Sequence, residues 1–194
     1  MVKPGSGYPK EKLRKEREVT CRRIVLKPAA DEQFTFKGAV GTSFSLEPKG
    51  SPELYVTDVR IGDRSYYEDG TFRLSDWKEP IRITFATSAA TVSGTVVWPE
   101  GQKKIRAAAV LVPDAPRRRT LYVYRQGGVD ESDKFKIVGV PPGTYKLFAS
   151  DLLSENGWRN ADVISKYEDA GIPITVTANS SLTGLQVRAV DLGK

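Results

Sequence analysis

The chain has 194 residues, 39% of them hydrophobic and 28% charged, a globular composition with room for one large core or two small ones. With no histidine and one cysteine, Cys21, it cannot build a Ser-His-Asp or Cys-His nucleophile, a His-ligated zinc site, an intrachain disulfide or a Cys-x-x-Cys pair. The formal charge of +6 is all carried by residues 1–27, where nine Lys or Arg meet three Glu, so the chain has a basic arm and not a basic body.

The arm, "MVKPGSGYPKEKLRKER" (1–17), lacks the apolar segment of a secretory signal. No apolar run in the chain approaches the roughly 18 residues of a membrane span, so an integral membrane protein is not expected. Such an arm can bind nucleic acid or anionic surfaces. No RNP-like, helix-turn-helix or base-stacking signature accompanies it, so nucleic acid is an unlikely partner on sequence grounds.

After the arm, turn chemistry separates short strands. "VTCRRIVLK" (19–27) is β-branched and ends at Pro28, and Cys21 shares a face with Val19 as a half-buried hydrophobe. A thiol activated by Arg22 and Arg23 is the sharper alternative for Cys21. "QFTFKGAV" (33–40) and "SFSLEP" (43–48) alternate, as does "ELYVTDVRIG" (53–62), where period two puts Leu54, Val56 and Asp58 opposite Tyr55, Thr57 and Val59. Asp69–Gly70 in "DRSYYEDGTFRL" reads as a hairpin turn, and "IRITFAT" (81–87) is a further alternating strand.

A second series begins with "ATVSGTVVWP" (90–99) and "RAAAVLVPD" (106–114), apolar enough to be a central strand. "TLYVYRQGGVDESDKFKIVGV" predicts strand, Gly-rich turn and strand; "GTYKLFAS" (143–150) and "PITVTANSSLTGLQVRAVDL" add three more. Only residues 151–171 break the pattern, as a long loop with a short helix around Val163, Ile164 and Tyr167. The expected fold is all-β: two tandem immunoglobulin-like or transthyretin-like β-sandwiches, 18–88 and 89–194, in end-to-end contact behind the 1–17 arm.

"ATVSGTVVWPEGQKKIRAAAVLVPD" followed by "DESDKFKIVGVPPGTYKLFAS" resembles the carboxypeptidase regulatory-like domain, a transthyretin-like sandwich. The matching positions are Gly94, Val96, Ala108, Val110, Asp130, Phe135, Ile137, Val140, Pro142, Gly143, Tyr145 and Leu147. Lys134 departs from the family's usual Gly, and Arg106-Ala107 from its Pro-x-Gly approach. With "ELYVTDVRIGDRSYYEDG", the likeness extends from about Val19 to Val190 and is similar to tandem sandwich proteins common in Acidobacteria-like bacteria. That resemblance implies a cell-envelope or extracellular location and a module without catalysis, since the family's zinc-binding catalytic domain has no counterpart here.

Within "FKIVGVPPGTYKLFA" (135–149), Phe135, Ile137, Tyr145 and Leu147 are expected to point inward from two antiparallel strands, with Pro141–Pro142 fixing the turn. Candidate binding residues lie in two loops. Arg117, Arg118 and Arg119 form a Pro-bounded cationic crest suited to a carboxylate, phosphate, glycan or lipid headgroup, or to plain solvation. Asn156, Trp158, Arg159 and Asn160 combine an aromatic face with amides, a combination suited to sugars; Trp158 as a cap on the sandwich end is the other reading. Asp151, Asp162, Glu168 and Asp169 lack a calcium-loop pattern, so no metal or cofactor is expected.

No catalytic constellation can be assembled, and an enzyme is not expected. The first function expected is a structural or interaction module with a protein partner or a second copy of itself, joined through a strand edge left open in the first sandwich. A carbohydrate-binding module using Trp158, and an electrostatic binder using the arm, are the alternatives.

Overall fold

A computed structural model describes residues 21–26, 43–48, 53–73, 80–100, 107–150 and 157–190. The strands are β1 (Cys21–Leu26), β2 (Ser43–Pro48), β3 (Tyr55–Ile61), β4 (Arg64–Ser65), β5 (Thr71–Arg73), β6 (Ile81–Ala86), β7 (Ala90–Val97), β8 (Ala108–Pro113), β9 (Arg125–Gly128), β10 (Lys134–Val140), β11 (Gly143–Ser150), β12 (Ile172–Val176) and β13 (Ser181–Val190). One four-residue α-helix, α1 (Ala161–Ile164), lies between short 3-10 turns, so the described chain is overwhelmingly β, as its composition of alternating apolar runs dictates. The expected strand at 33–40 lies outside the described residues.

From residue 90 onward the strands run β10-β7-β13-β11-β8-β9, with β12 alongside β11. An antiparallel bridge between Val129 and Phe135 ties the end of β9 back to β10. At the other side β13, parallel to β7, touches β11 through Ala149↔Ala189 and Ser150↔Val190. The hydrogen-bonded path therefore returns on itself, a closure that leaves β12, paired with β11 alone, as the one strand off the path among the described residues. Its interior holds Val92, Val96, Leu111, Phe135, Ile137, Tyr145, Leu147 and Val187, each at most 3% exposed. Burial on this scale is worth about 1.5–3 kcal/mol for each large aliphatic or aromatic side chain.

β10 and β11 do not pair with each other. β10 bonds β7 while β11 bonds β8 and β12, so the Pro141–Pro142 link crosses from one side of the closed sheet to the other. The four inward residues meet across the interior and not along a ladder. The Tyr145 hydroxyl donates to the Pro141 carbonyl at 2.8 Å, four residues upstream, in the manner of a tyrosine corner. Gly143, at φ 145°, passes directly beneath the Arg117 guanidinium, where a Cβ would lie 2.3 Å from Nη1.

Between 21 and 86 the strands form two three-stranded sheets, β1-β2-β5 and β4-β3-β6. β3 carries a bulge: Val56 faces Phe85 and Asp58 faces Thr84, leaving Thr57 as the extra residue. Val56 and Val59, expected on opposite faces, are consequently both buried at 1% in one cluster. Asp69–Gly70 is not a hairpin, because β4 pairs with β3 whereas β5 pairs with β2. The tight hairpin is instead at Gly62–Asp63, between the paired Ile61 and Arg64.

The two regions meet over a face and not end to end. All six residues of β8 are buried. Ala109 and Leu111 belong to the interior of the closed sheet, while Ala108, Val110 and Val112 join Phe148, Phe44, Leu46, Val56, Val59 and Phe72 in a second cluster. This cluster crosses from the 43–86 residues to the outer side of β8 and β11. Thr120, fully buried, donates from Oγ1 to the Tyr67 carbonyl at 2.8 Å, and the Tyr122 hydroxyl donates to the same oxygen at 3.1 Å. The seam is thus packed with apolar side chains and fastened by directed bonds.

Candidate functional site

The arginine run 117–119 lies where β8 leaves the sheet. Residues Ala115–Arg117 form a 3-10 turn and Arg118 remains in the right-handed helical region. At about three residues per turn, successive side chains diverge by roughly 120°, so three adjacent arginines cannot form one crest. Arg117 folds inward: Nε donates to Asp114 at 2.6 Å, Nη1 to the Pro142 carbonyl at 3.3 Å and Nη2 to the Thr144 carbonyl at 2.6 Å. Its guanidinium also lies 4.9 Å from the Tyr145 ring centre. Arg118 turns the other way, donating through Nη2 to both Glu168 carboxylate oxygens at 2.7 and 2.8 Å. Arg119 alone faces solvent, with no ion-pair or hydrogen-bond partner among the described residues.

Glu168 receives a second cation, Lys146, at 3.3 Å. Burial would raise its pKa, but the hydrogen bonds and charges of Arg118 and Lys146 outweigh that and hold it below the ordinary carboxylate value. This carboxylate, one of the four considered as calcium ligands, is thus engaged by two cations.

The aromatic-amide loop is also structural where it is described. Trp158 is 2% exposed, with the Tyr124 ring 5.6 Å away and the Arg159 guanidinium 4.6 Å from its own ring centre. A ring so enclosed has no free face to stack on a sugar, which corrects the exposed placement that the carbohydrate reading requires. Asn160 caps α1: its Oδ1 accepts from the Asp162 amide at 2.9 Å, and its carbonyl accepts from Ile164. Asn156 lies outside the described residues, as does the basic arm 1–17.

The sequence reading passed over an interior polar cluster. Arg125, at the start of β9, donates from Nε to the Gly139 carbonyl at 2.6 Å and from Nη1 to the Tyr122 and Tyr124 carbonyls at 2.6 and 2.9 Å. Three carbonyl dipoles take the place of a carboxylate, and burial pulls its pKa down. Burial likewise pushes the Tyr145 hydroxyl up to about 12 and raises Tyr122 and Tyr67. The hydrogen bonds of Arg125, Tyr122 and Tyr145 run to backbone carbonyls of Tyr67, Pro141, Gly139, Tyr122 and Tyr124, so these groups fasten one segment of the chain to another. Leu121–Val123, expected in a strand, is a 3-10 turn, and Gly127–Gly128, expected in the turn, lie within β9. That shift in register is why Arg125 escaped notice.

Arg119 does face a cleft of about 390 Å³, lined by Arg64, Tyr66, Asp69, Thr71, Phe72 and Arg73 as well. Of the six predicted residues that are described, Arg119 is the one that lines this cleft.

No family model matches the chain, and neither does any curated relative. Among solved structures, the Bacillus anthracis TIE protein is similar over 61% of this chain and 20% of its own length, at 11% identity and a TM-score of 0.31. BcpA, the major pilin subunit of Bacillus cereus, is similar over 71% of this chain and 56% of its own, again at 11% identity and a TM-score of 0.31. The chain thus spans between a fifth and somewhat over half of the proteins that it resembles, and likeness at this level does not identify what it does.

Proposed function

We propose that the chain is a non-catalytic structural or interaction module, two β-units in tandem at 18–88 and 89–194, that joins a second copy of itself by strand addition. The observation that carries this reading is the contrast in edges. β6 pairs with β3 on one side and has no partner on the other among the described residues, whereas six of the seven strands after residue 90 lie on a path that closes on itself and only the five-residue β12 has a single partner. β6 is six residues long with alternating half-buried and exposed side chains, so an incoming strand would find a regular backbone edge and a continuation of the apolar layer. Arg117, Arg118, Trp158 and Asn160 are engaged in holding the fold, which favours a scaffold over a catalyst.

In the same reading, residues 89–194 are a carboxypeptidase regulatory-like unit of a cell-envelope or extracellular protein. Its support is the motif from Gly94 to Leu147, of which Val96, Phe135, Ile137, Val140, Tyr145 and Leu147 are buried together inside the closed sheet while Ala108 and Val110 are buried on its outer side. Size-exclusion chromatography with light scattering, on the full chain and on one lacking residues 1–17, tests the assembly. A concentration-dependent oligomer is expected from the full chain; retention after truncation assigns it to the strands and not to the arm, and loss of the oligomer on Ile83→Pro then assigns it to β6. A monomer in both at all concentrations sinks the proposal.

A further inference from the structure

We propose that the cleft between β4, β5 and the 118–120 loop is a binding site for a phosphate group, carried by a small phosphomonoester or present as free inorganic phosphate. This inference does not depend on strand addition.

Three guanidinium groups, those of Arg64, Arg73 and Arg119, line the cleft with a single carboxylate, Asp69. Asp69 is paired with Arg64 at 3.3 Å, and Arg64 also lies 4.5 Å from the Tyr66 ring centre. Arg73 and Arg119 have no ion-pair or hydrogen-bond partner among the described residues. Two uncompensated positive charges therefore face one concave space. A phosphomonoester carries about −1.5 to −2 charge near neutral pH, which matches that surplus, whereas a simple carboxylate supplies half of it. Guanidinium forks pair with phosphate oxygens two at a time, and Thr71 places a hydroxyl on the same wall. About 390 Å³ exceeds what a phosphate needs and falls in the range of small-molecule sites, leaving room for the organic part of an ester against Tyr66.

The site is composite, and its construction is specific. Strand alternation on β5 turns Phe72 into the core and Thr71 and Arg73 outward. Arg119 comes from the other region, and Gly70 sets how closely the two approach. At φ +67°, Gly70 lies under the Arg119 carbonyl so tightly that a Cβ would fall 1.9 Å from that oxygen. Next to it, the buried Thr120 is bonded to Tyr67. The backbone that bears Arg119 is thus fixed on both sides, so binding has only the side chain to order and not the loop that carries it.

The test is a calorimetric and NMR titration of the full chain at low ionic strength with inorganic phosphate, glucose 6-phosphate, glucose and acetate. Saturable binding of the two phosphates is expected, weakening with added salt, with acetate at least about tenfold weaker and glucose silent. Arg73→Gln and Arg119→Gln should each weaken phosphate binding roughly tenfold with thermal unfolding unchanged, and Asp69→Asn should strengthen it by releasing Arg64. Arg188→Gln, an exposed arginine on β13, should leave it unaltered. Tighter binding of glucose 6-phosphate than of phosphate assigns the site to a phosphomonoester, and equal binding assigns it to free phosphate. The proposal is overturned if neither phosphate saturates, if acetate binds as well, or if Arg188→Gln weakens binding as much as Arg119→Gln.

Discussion

The two halves of this molecule solve the same problem differently. After residue 90, a sheet that closes through the Val129–Phe135 bridge and the β11–β13 contact pairs six of its seven strands on both sides, with β12 alone left on one partner. Between 21 and 86, the described strands form two three-stranded sheets with open edges among the described residues, and Val56, Val59, Phe44 and Phe72 are buried in one cluster with the outer side of β8 and β11. One region has an interior of its own, and the two share a second core at the seam. The difference shows how a small β-unit can retain an exposed pairing edge without losing its fold: apolar burial is supplied at one face while the edge stays available at another.

β11 borders both cores, so truncating one side chain on each of its faces separates their contributions. Leu147 faces the closed interior and Phe148 the seam, and both are 0% exposed. Leu147→Ala and Phe148→Ala should each cost about 3–4 kcal/mol in chemical denaturation. If Phe148→Ala costs under about 1 kcal/mol, the seam is a loose contact and not a core. Gly70→Ala comes next, at about 2 kcal/mol or more, because it combines a left-handed backbone with a collision against Arg119. Its loss should appear first as separation of the 21–86 region, seen as limited proteolysis there before the closed sheet is cut.

Smaller effects sharpen the picture. Tyr145→Phe removes the bond to Pro141 and should cost about 1 kcal/mol at neutral pH. Burial raises the Tyr145 pKa from 10.0 to about 12, so the folded state holds its proton more tightly than the unfolded chain. Stability from this group is therefore present below 10.0 and falls as pH rises towards 12; the phenylalanine variant should show a shallower alkaline decline. Glu168→Gln should have the least effect. Its lowered carboxylate pKa makes its contribution present above the unfolded value of 4.5 and lost as pH falls through the folded value, so the variant should flatten only the acid limb of stability.

Alternation made most strands legible: 81–87 was expected and Ile81–Ala86 found, and the all-apolar run at Ala108–Pro113 announced a strand buried on both faces. Period two is blind to bulges, however, so Thr57 reversed the assignment of Val59. Turn residues announce that the chain bends, not which strand it then joins, so Asp69–Gly70 looked like a hairpin although Gly70 serves the close approach to Arg119. The candidate site was less legible for a related reason. A run of arginines shows its charge but not its direction, and the 3-10 turn sends Arg117 and Arg118 to internal partners while Arg119 meets Arg64 and Arg73, more than forty residues earlier in the chain.

The most direct measurement of the central contrast is hydrogen exchange of the backbone amides at dilute and high protein concentration. The account predicts that residues 81–86 gain protection as concentration rises while β7, β8 and β11 are strongly protected throughout. Protection at 81–86 that is independent of concentration, in a chain that light scattering shows to be associated, would contradict it and move the assembling edge elsewhere.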